Sequence, residues 1–275
     1  MNVATGHLLS VSDLTLAFGG VIAVDELSFT VDDGDILSVI GPNGAGKTSA
    51  FNCVTGFYKP TAGSVTLNGE DITRMRPSAV AARGVARTFQ NLRLFGELTV
   101  LDNVRAGMHL RIKQSAFDAL LHTPRFRRSE REATEQAHRW LDFVGVRANR
   151  SAEARELPYG EQRRVEIARA LAREPKLLLL DEPAAGLNHG EKRALIDLLG
   201  RIGALGIAVV LIEHDMGLVM QVSRRIVVLN FGRKIAQGTP EEVRNNPDVI
   251  EAYLGADDES DASMGDSSEN EKELS

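Results

Sequence analysis

The feature that most constrains the fold of this chain is a glycine-rich loop at residues 41–48, directly after the apolar stretch Ile36–Ile40. The loop has the spacing G-x-x-x-x-G-K-[ST], which joins a buried strand to a helix in phosphate-binding proteins. Glycines let the backbone curl until successive N–H groups face one anion, and the helix adds the positive end of its dipole. We therefore predict a phosphate-binding loop and helix start formed by Gly41, Pro42, Asn43, Gly44, Ala45, Gly46, Lys47, Thr48 and Ser49.

Two side chains of this loop have distinct predicted tasks. We expect Lys47 to contact the β- and γ-phosphates of a bound nucleoside triphosphate. We expect Thr48 to give its hydroxyl to Mg²⁺, since hard cations prefer oxygen ligands. The alternative is a glycine-rich surface turn with a solvated lysine. The apolar stretch before the loop favours the phosphate-binding interpretation.

A second candidate site lies at the end of another apolar stretch. Leu177–Leu180 is followed by Asp181 and Glu182, at the position where open α/β sheets bind ligands. Successive residues of an extended strand point to opposite faces, so the two carboxylates are predicted to have different roles. We assign Asp181 to the metal and Glu182 to the attacking water as a general base. The alternative is a polar strand end without chemistry.

The distribution of charge excludes one class of function. The chain of 275 residues has a formal net charge of −6, but residues 256–275 hold eight acidic residues and one lysine. The rest is therefore close to neutral, which argues against a nucleic-acid-binding protein, since such proteins present a basic surface. Acidic residues and serine dominate residues 256–275, so we predict a disordered acidic tail there and a folded domain at residues 1–255.

The apolar segments are too short for a membrane-spanning protein. The longest, Leu177–Leu180 and Ile207–Ile212, fall well below the roughly 20 residues of a spanning helix. The first residues lack the basic start and long apolar core of a secretion signal, so we expect a cytosolic location. The single cysteine, Cys53, cannot form an intrachain disulfide and is predicted to be a small buried side chain.

The order of the predicted elements indicates an α/β domain. Helical spacing runs from about Leu101 to Phe143. The later apolar stretches alternate with helices, as in a parallel sheet, and a turn at residues 230–232 precedes a short last strand. The predicted strands are Leu8–Leu16, Leu27–Val31, Ile36–Ile40, Gly63–Asn68, Leu177–Leu180, Ala208–Ile212 and Arg225–Leu229.

With one further segment, these motifs make the chain resemble the nucleotide-binding domain of ABC transporters over about residues 8–255. Residues 157–162 read Leu-Pro-Tyr-Gly-Glu-Gln and precede a helix predicted at Arg163–Arg173. The resemblance implies an α/β P-loop NTPase of ABC type, with a mixed core sheet, an antiparallel β subdomain and an inserted helical subdomain at about residues 91–173. It also implies a head-to-tail dimer, in which this signature segment of one subunit contacts the ATP bound by the other.

The resemblance assigns Gly160 and Glu161 of the signature segment to the nucleotide. The physical basis is anion binding at a helix N-terminus, where Gly160 permits close approach. The segment departs from the family pattern, because Pro158 stands where serine is usual and Tyr159 where glycine is usual. Proline has neither a hydroxyl nor an N–H, so it cannot supply the serine contact to the γ-phosphate. The alternative is a structural helix cap.

Three single residues are carried over from the family by position. Phe18 matches the aromatic side chain that stacks on adenine, Gln90 the glutamine that reaches the metal and the water, and His214 the histidine that contacts the γ-phosphate. Taken alone, each has ordinary packing or solvation as its alternative. The resulting prediction names Lys47, Glu182 and His214 as catalytic residues and Thr48, Gln90 and Asp181 as Mg²⁺ ligands.

Finer resemblance points to the ATPases of branched-chain amino-acid importers, through Arg87–Phe95, residues 159–169 and residues 230–240. It implies a homologous ATPase partner in a homo- or heterodimer, two transmembrane permeases, indirectly a solute-binding protein, and a peripheral place at the cytoplasmic face of the plasma membrane. The alternatives are an ABC ATPase for another cargo, such as lipopolysaccharide or urea, and an ABC ATPase outside transport. A permease helix is predicted to dock on an apolar group formed by Leu92, Leu94, Phe95 and Leu98, or else these residues pack within the helical subdomain.

Overall fold

The fold contains two β-sheets, as seen in a computed structural model that describes residues 6–108 and 124–253. One sheet has four antiparallel strands in the order β2-β1-β4-β5, and the other has six strands in the order β10-β9-β3-β8-β7-β6. The strands are β1 Leu9–Phe18, β2 Val21–Val31, β3 Ile36–Ile40, β4 Ala62–Leu67, β5 Glu70–Asp71, β6 Val85–Arg87, β7 Leu177–Asp181, β8 Ala208–Ile212, β9 Arg225–Asn230 and β10 Arg233–Gly238.

The antiparallel sheet begins with a hairpin that is longer than predicted. β1 and β2 pair up to the contact of Phe18 with Val21, so β2 starts six residues before the predicted Leu27. The first residues of β2 are exposed or half-buried, and Val21 is 69% exposed. Their strand conformation therefore comes from pairing with β1 rather than from burial, which is why the buried half alone was predicted.

The six-stranded sheet is mixed, because β3 pairs in parallel with β8 and β9 while β10 runs antiparallel to β9. β7 shows why its apolar stretch is continuous. Leu177 and Leu179 belong to the core shared with the antiparallel sheet, whereas Leu178 and Leu180 belong to a core shared with helices. Both faces of the strand are thus covered, as in a buried parallel strand. The predicted α/β class, with one mixed and one antiparallel sheet, is confirmed.

Three helices of the middle region pack on one another and on one face of the mixed sheet. They are α3 (Val100–Met108), α4 (Pro124–Val144) and α5 (Tyr159–Leu171). Helix α5 starts four residues before the predicted Arg163, because Pro158 has an extended backbone and serves as its N-cap. The predicted acidic tail at residues 256–275 lies outside the described residues. The helices are α1 Lys47–Val54, α2 Pro77–Ala82, α3 Val100–Met108, α4 Pro124–Val144, α5 Tyr159–Leu171, α6 His189–Ala204, α7 Met216–Val222 and α8 Pro240–Arg244, with a short 3₁₀ turn at Ala154–Glu156 and a helical segment at residues 247–253.

The topology brings three loops to one edge of the mixed sheet. β3, β8 and β7 are parallel neighbours, and Val39 and Asp181 both lie in register with Ile212. Their carboxyl ends therefore lie side by side, which places the loops after them at the position where α/β sheets bind ligands. Within the described residues, no helix has the length and apolar character needed to cross a membrane.

Candidate nucleotide site

The loop after β3 requires glycine at two positions for steric reasons. A Cβ on Gly41 would overlap the carbonyl oxygen of Leu229, and a Cβ on Gly46 would overlap that of Ala23. Both glycines also have positive φ angles, of 146° and 95°. The loop is therefore pressed against the neighbouring backbone, and a larger residue would force it open.

Lys47 begins helix α1 and turns its ammonium back into this loop. Its Nζ donates to the carbonyl oxygens of Gly41 at 2.6 Å and Pro42 at 2.8 Å. Burial lowers the pKa of the Lys47 ammonium, and the nearby carboxylates of Glu182 and Asp181 oppose that change. The loop thus holds a partly desolvated cation among backbone groups, which suits an incoming phosphate.

The predicted metal ligands offer oxygen atoms of the kind that Mg²⁺ prefers. Thr48 is exposed in the first turn of α1, and Asp181 is the buried last residue of β7. Among the described residues no three His, Cys, Asp or Glu side chains cluster as a metal site. Mg²⁺ commonly uses one or two protein oxygens together with substrate phosphates, so the hydroxyl of Thr48 and the carboxylate of Asp181 suit it by ligand type.

Asp181 has a partner that sequence reasoning missed. Arg87, the last residue of β6, donates from Nη2 to Oδ2 of Asp181 at 2.9 Å, and both side chains are buried. Arg87 also donates from Nη1 to Asn52 of α1. Because β6 and β7 are parallel neighbours, this ion pair fixes the direction of the Asp181 carboxylate beside the loop.

Glu182 is the point at which three predicted residues meet. Its Oε2 accepts a hydrogen bond from Nε2 of Gln90 at 3.0 Å and lies 3.9 Å from Nδ1 of His214. Its backbone N–H donates to Ile212 of β8, and its φ of 48° is left-handed, an uncommon conformation for a residue with a side chain. The structure therefore brings together Gln90, Glu182 and His214 from three separate loops.

The loop that carries His214 is fixed by hydrogen bonds to the side chain of Glu213, a residue that the sequence analysis did not single out. The buried Glu213 carboxylate accepts from the backbone N–H of Ala184 at 2.7 Å and from that of His214 at 3.2 Å. Burial raises the pKa of Glu213, although these hydrogen bonds act in the opposite direction. An acid directly after a buried strand was the signal available for it. The His214 side chain itself is 65% exposed.

Phe18 lies at the end of β1 and is 48% exposed. Its ring meets that of Tyr58 edge to face, with centroids 5.2 Å apart. The sequence analysis did not identify Tyr58, which follows the turn after α1. An exposed aromatic pair of this kind offers a flat apolar surface on which a base can stack.

The structure gives a reason for glycine at position 160 that differs from the predicted close approach of a nucleotide. A Cβ on Gly160 would overlap the carboxylate of Glu191, which accepts from the Asn188 N–H in the capping box of α6. Glu161 accepts from the backbone N–H of Ala148 at 3.1 Å, so its carboxylate is engaged within the chain. The assignment of Gly160 and Glu161 to a nucleotide stays a prediction.

Comparison with known proteins matches this geometry to one family. A family model described as ABC transporter matches residues 24–185, and a model described as branched-chain amino acid ATP-binding cassette transporter matches residues 233–259. The chain is 49% identical over 249 residues to the high-affinity branched-chain amino acid transport ATP-binding protein LivG of Salmonella typhimurium, covering 90% of this chain and 98% of that protein. It is 50% identical to BraF of Pseudomonas aeruginosa, a protein of the same description, with 90% and 98% covered.

Solved structures agree with the sequence comparison. The ADP conformation of an ATP-binding cassette of an ABC transporter superimposes with a TM-score of 0.80 at 32% identity, covering 91% of this chain and 100% of that one. A nucleotide-free ATP-binding cassette from an ABC transporter gives 0.78 at 32% identity, covering 90% and 99%. This chain therefore belongs to the ABC transporter family, as an ATP-binding cassette of the branched-chain amino acid type.

Proposed function

We propose that this chain binds ATP together with Mg²⁺ and hydrolyses it to drive import of branched-chain amino acids. The observation that carries the hydrolytic part is the convergence of Gln90 and His214 on Glu182, close to Lys47 of the phosphate loop. The cargo rests on the branched-chain family model that matches residues 233–259 and on the similarity to branched-chain amino acid transport ATP-binding proteins at 49% and 50% identity.

The residues divide the chemistry between them. The Lys47 ammonium and the backbone N–H groups of the loop bind the phosphates, and Phe18 stacks on the base. Thr48, Asp181 and Gln90 would hold Mg²⁺, which would supply positive charge to the phosphate oxygens. Glu182 orients the attacking water and accepts its proton, and the Gln90 amide fixes the direction of the Glu182 carboxylate. The His214 imidazole lies 3.9 Å from the same carboxylate oxygen, Oε2, and contacts the γ-phosphate.

We assign a second subunit to complete each site. At the start of α5 the N–H groups of Glu161 and Gln162 donate to the carbonyl oxygen of Pro158, whereas those of Tyr159 and Gly160 precede the first hydrogen bonds of the helix and receive no side-chain cap from Pro158. An anion from outside the subunit would satisfy these groups, which is the expected role of the γ-phosphate bound by the partner. The partner is a second copy or a homologous ATPase.

The permease surface is proposed at the apolar group after Gln90. Phe95 is 55% exposed and Leu98 is 42% exposed, whereas Leu94 is partly buried against the helical core. The Arg169 guanidinium lies 5.6 Å from the centre of the Phe95 ring. Exposed apolar side chains beside a catalytic loop suit a short helix of a membrane permease.

The test is transport by the full chain reconstituted in vesicles with two branched-chain amino acid permease subunits and a solute-binding protein. We expect leucine uptake that requires ATP and Mg²⁺, and that is lost in Lys47→Ala. Hydrolysis accompanied by uptake of urea or another solute instead of leucine would reject the proposed cargo, but it would support the proposed ATPase activity. Absence of Lys47-dependent hydrolysis in the complete assembly would reject the function.

A further inference from the structure

The largest fully buried side chain among the described residues is charged. Arg163 lies in α5 and is 1% exposed. A guanidinium in such a position is costly unless its N–H groups are matched by acceptors. Its Nε has no acceptor in the described part of the chain, so the acceptors of the two terminal nitrogens indicate what the residue holds in place.

Two of those acceptors are backbone carbonyl oxygens in residues 89–93, the segment that carries Gln90. Nη1 of Arg163 donates to the carbonyl oxygen of Phe89 at 3.0 Å, and Nη2 donates to that of Gln90 at 2.9 Å. The two contacts bridge more than seventy positions of the sequence. A planar guanidinium is suited to this task, because its two terminal nitrogens diverge at a fixed angle toward successive carbonyls.

Glu166, one turn further along α5, completes the arrangement. Its Oε2 accepts from Nη1 of Arg163 at 3.0 Å, and its Oε1 accepts from the backbone N–H of Arg93 at 3.3 Å. Both members of the pair are 1% exposed. The pair therefore binds the carbonyl oxygens of Phe89 and Gln90 at the start of the segment 89–93 and the N–H of Arg93 at its end.

The Arg163 guanidinium also contacts Tyr159, the first residue of its own helix α5. Nη2 donates to the hydroxyl of Tyr159 at 2.8 Å, and the Tyr159 ring lies against Gly186, in the loop that follows Glu182. A Cβ on Gly186 would be 3.1 Å from that ring. The first turn of the signature helix, the Gln90 segment and the loop after Glu182 thus meet at one buried charge.

We propose that Arg163 is a positioning residue for hydrolysis, which ties the signature helix α5 to the backbone of Gln90 so that the two move as one unit. The inference rests on the proposed function. Movement of α5 relative to β7 would carry Gln90 with it, and the amide of Gln90 would reach or leave the Glu182 carboxylate accordingly. Docking of α5 on the partner's nucleotide would in this way set the water-orienting contact in its own subunit.

The pair can be removed without leaving a lone buried charge. The double variant Arg163→Met/Glu166→Leu replaces it with apolar side chains of similar volume, an exchange that is often neutral for stability. We expect kcat for ATP in the complete transporter to fall about 10- to 100-fold, as for a slightly misplaced catalytic group. The KM for ATP should stay near the parent value, because the phosphate loop and Phe18 are untouched.

Two further measurements separate positioning from a general structural role. Amide hydrogen exchange should accelerate at residues 89–92 of the double variant and stay unchanged in β7 and β8. Arg93 is left out of this comparison, because its N–H loses its acceptor Glu166 directly. Adding Gln90→Ala to the double variant should lower kcat little further, because the contact that Gln90 makes is already lost. The matched control is Arg164→Met, which removes a neighbouring guanidinium that donates to Gly145 and should change neither measurement.

The outcomes decide between two failures. If the parent shows Lys47-dependent hydrolysis and the double variant keeps the parent kcat, the contacts of Arg163 have no catalytic role. The inference is then overturned, and the proposed function still stands. If the losses of kcat in Gln90→Ala and in the double variant multiply when combined, or if exchange at residues 89–92 is unchanged, the inference is overturned as well. If the parent lacks hydrolysis, the proposed function fails, whereas unchanged exchange in the variant would still overturn the tie.

Discussion

The side-chain amide of Gln90 donates to Oε2 of Glu182 over 3.0 Å, although the two residues lie 92 positions apart. The contact exists because Gln90 follows β6 and Glu182 follows β7, and these strands are parallel neighbours in the mixed sheet. The neutral amide donor gives the carboxylate a fixed direction. The pairing of these two loops is thus the structural basis for the predicted catalytic step.

The first prediction concerns the proton-accepting role of Glu182. In Glu182→Gln the side chain keeps its size and can still accept from the Gln90 amide, but it cannot take a proton from water. We expect ATP binding to be retained and phosphate release to slow by about 10²- to 10⁴-fold. Glu241→Gln, at an exposed carboxylate in α8, is the control and should release phosphate at the parent rate. Hydrolysis by Glu182→Gln at the parent rate would contradict the assignment.

The second prediction concerns the ammonium that Lys47 places in the phosphate loop. Hydrogen bonds to charged groups contribute about 1.5 to 3 kcal/mol, so Lys47→Ala should weaken ATP binding roughly 10- to 100-fold. The measurement is a titration with a fluorescent ATP analogue. Lys59 provides the comparison, because its ammonium also donates to backbone carbonyls, of Gly56 and Met75, but away from the loop. Equal losses of affinity in Lys59→Ala would show that the effect is not local to the loop.

Much of the sheet and its loops could be predicted because each buried strand ends in a motif. β3 and β8 have the predicted bounds, Ile36–Ile40 and Ala208–Ile212, since an apolar stretch covered on both faces leaves little ambiguity about its ends. β2 was only half predicted, because its first residues are held by pairing with β1 and not by burial.

Contacts between distant charged residues could not be predicted from the same patterns. Arg87 and Arg163 look like solvated positions in the sequence, yet both side chains are buried and paired. Their partners, Asp181 and the carbonyls of Phe89 and Gln90, become neighbours only when the sheet and α5 have formed. Local periodicity shows which face of an element is apolar, but it does not show which charge will find acceptors across the fold.

The third prediction separates the structural reason for Gly160 from its proposed role at a nucleotide. A Cβ at this position would displace the Glu191 carboxylate and break the capping box of α6. We expect Gly160→Ala to lower the free energy of unfolding by about 0.5 kcal/mol, the low end of the range for a helix cap, because the Glu191 carboxylate can move away while the Asn188 side chain still caps α6. The measurement is denaturant unfolding of the full chain.

Two comparisons make this prediction specific. Combining Gly160→Ala with Glu191→Ala removes the overlap, so the double variant should be more stable than the sum of the single effects implies. Gly200→Ala, within α6, meets no neighbouring atom within 4 Å and should stabilise the helix slightly. If Gly160→Ala unfolds at the parent denaturant concentration, the packing explanation for this glycine is wrong.

The last prediction follows from the buried thiol of Cys53 on α1. Burial raises its pKa from 9.0 to about 11, so at pH 8 only about one molecule in a thousand carries the reactive thiolate. Modification by a disulfide reagent should therefore be very slow in the folded chain and fast in guanidinium. Because the unfolded thiol ionises before the folded one, Cys53 favours the folded state fully below pH 9, and this contribution is lost as the pH rises toward 11. Lysine and tyrosine also ionise in that range, so the measured quantity is the difference in unfolding free energy between the parent and Cys53→Ala at each pH. A difference that stays constant from pH 8 to 11 would show that the thiol ionises equally easily in both states.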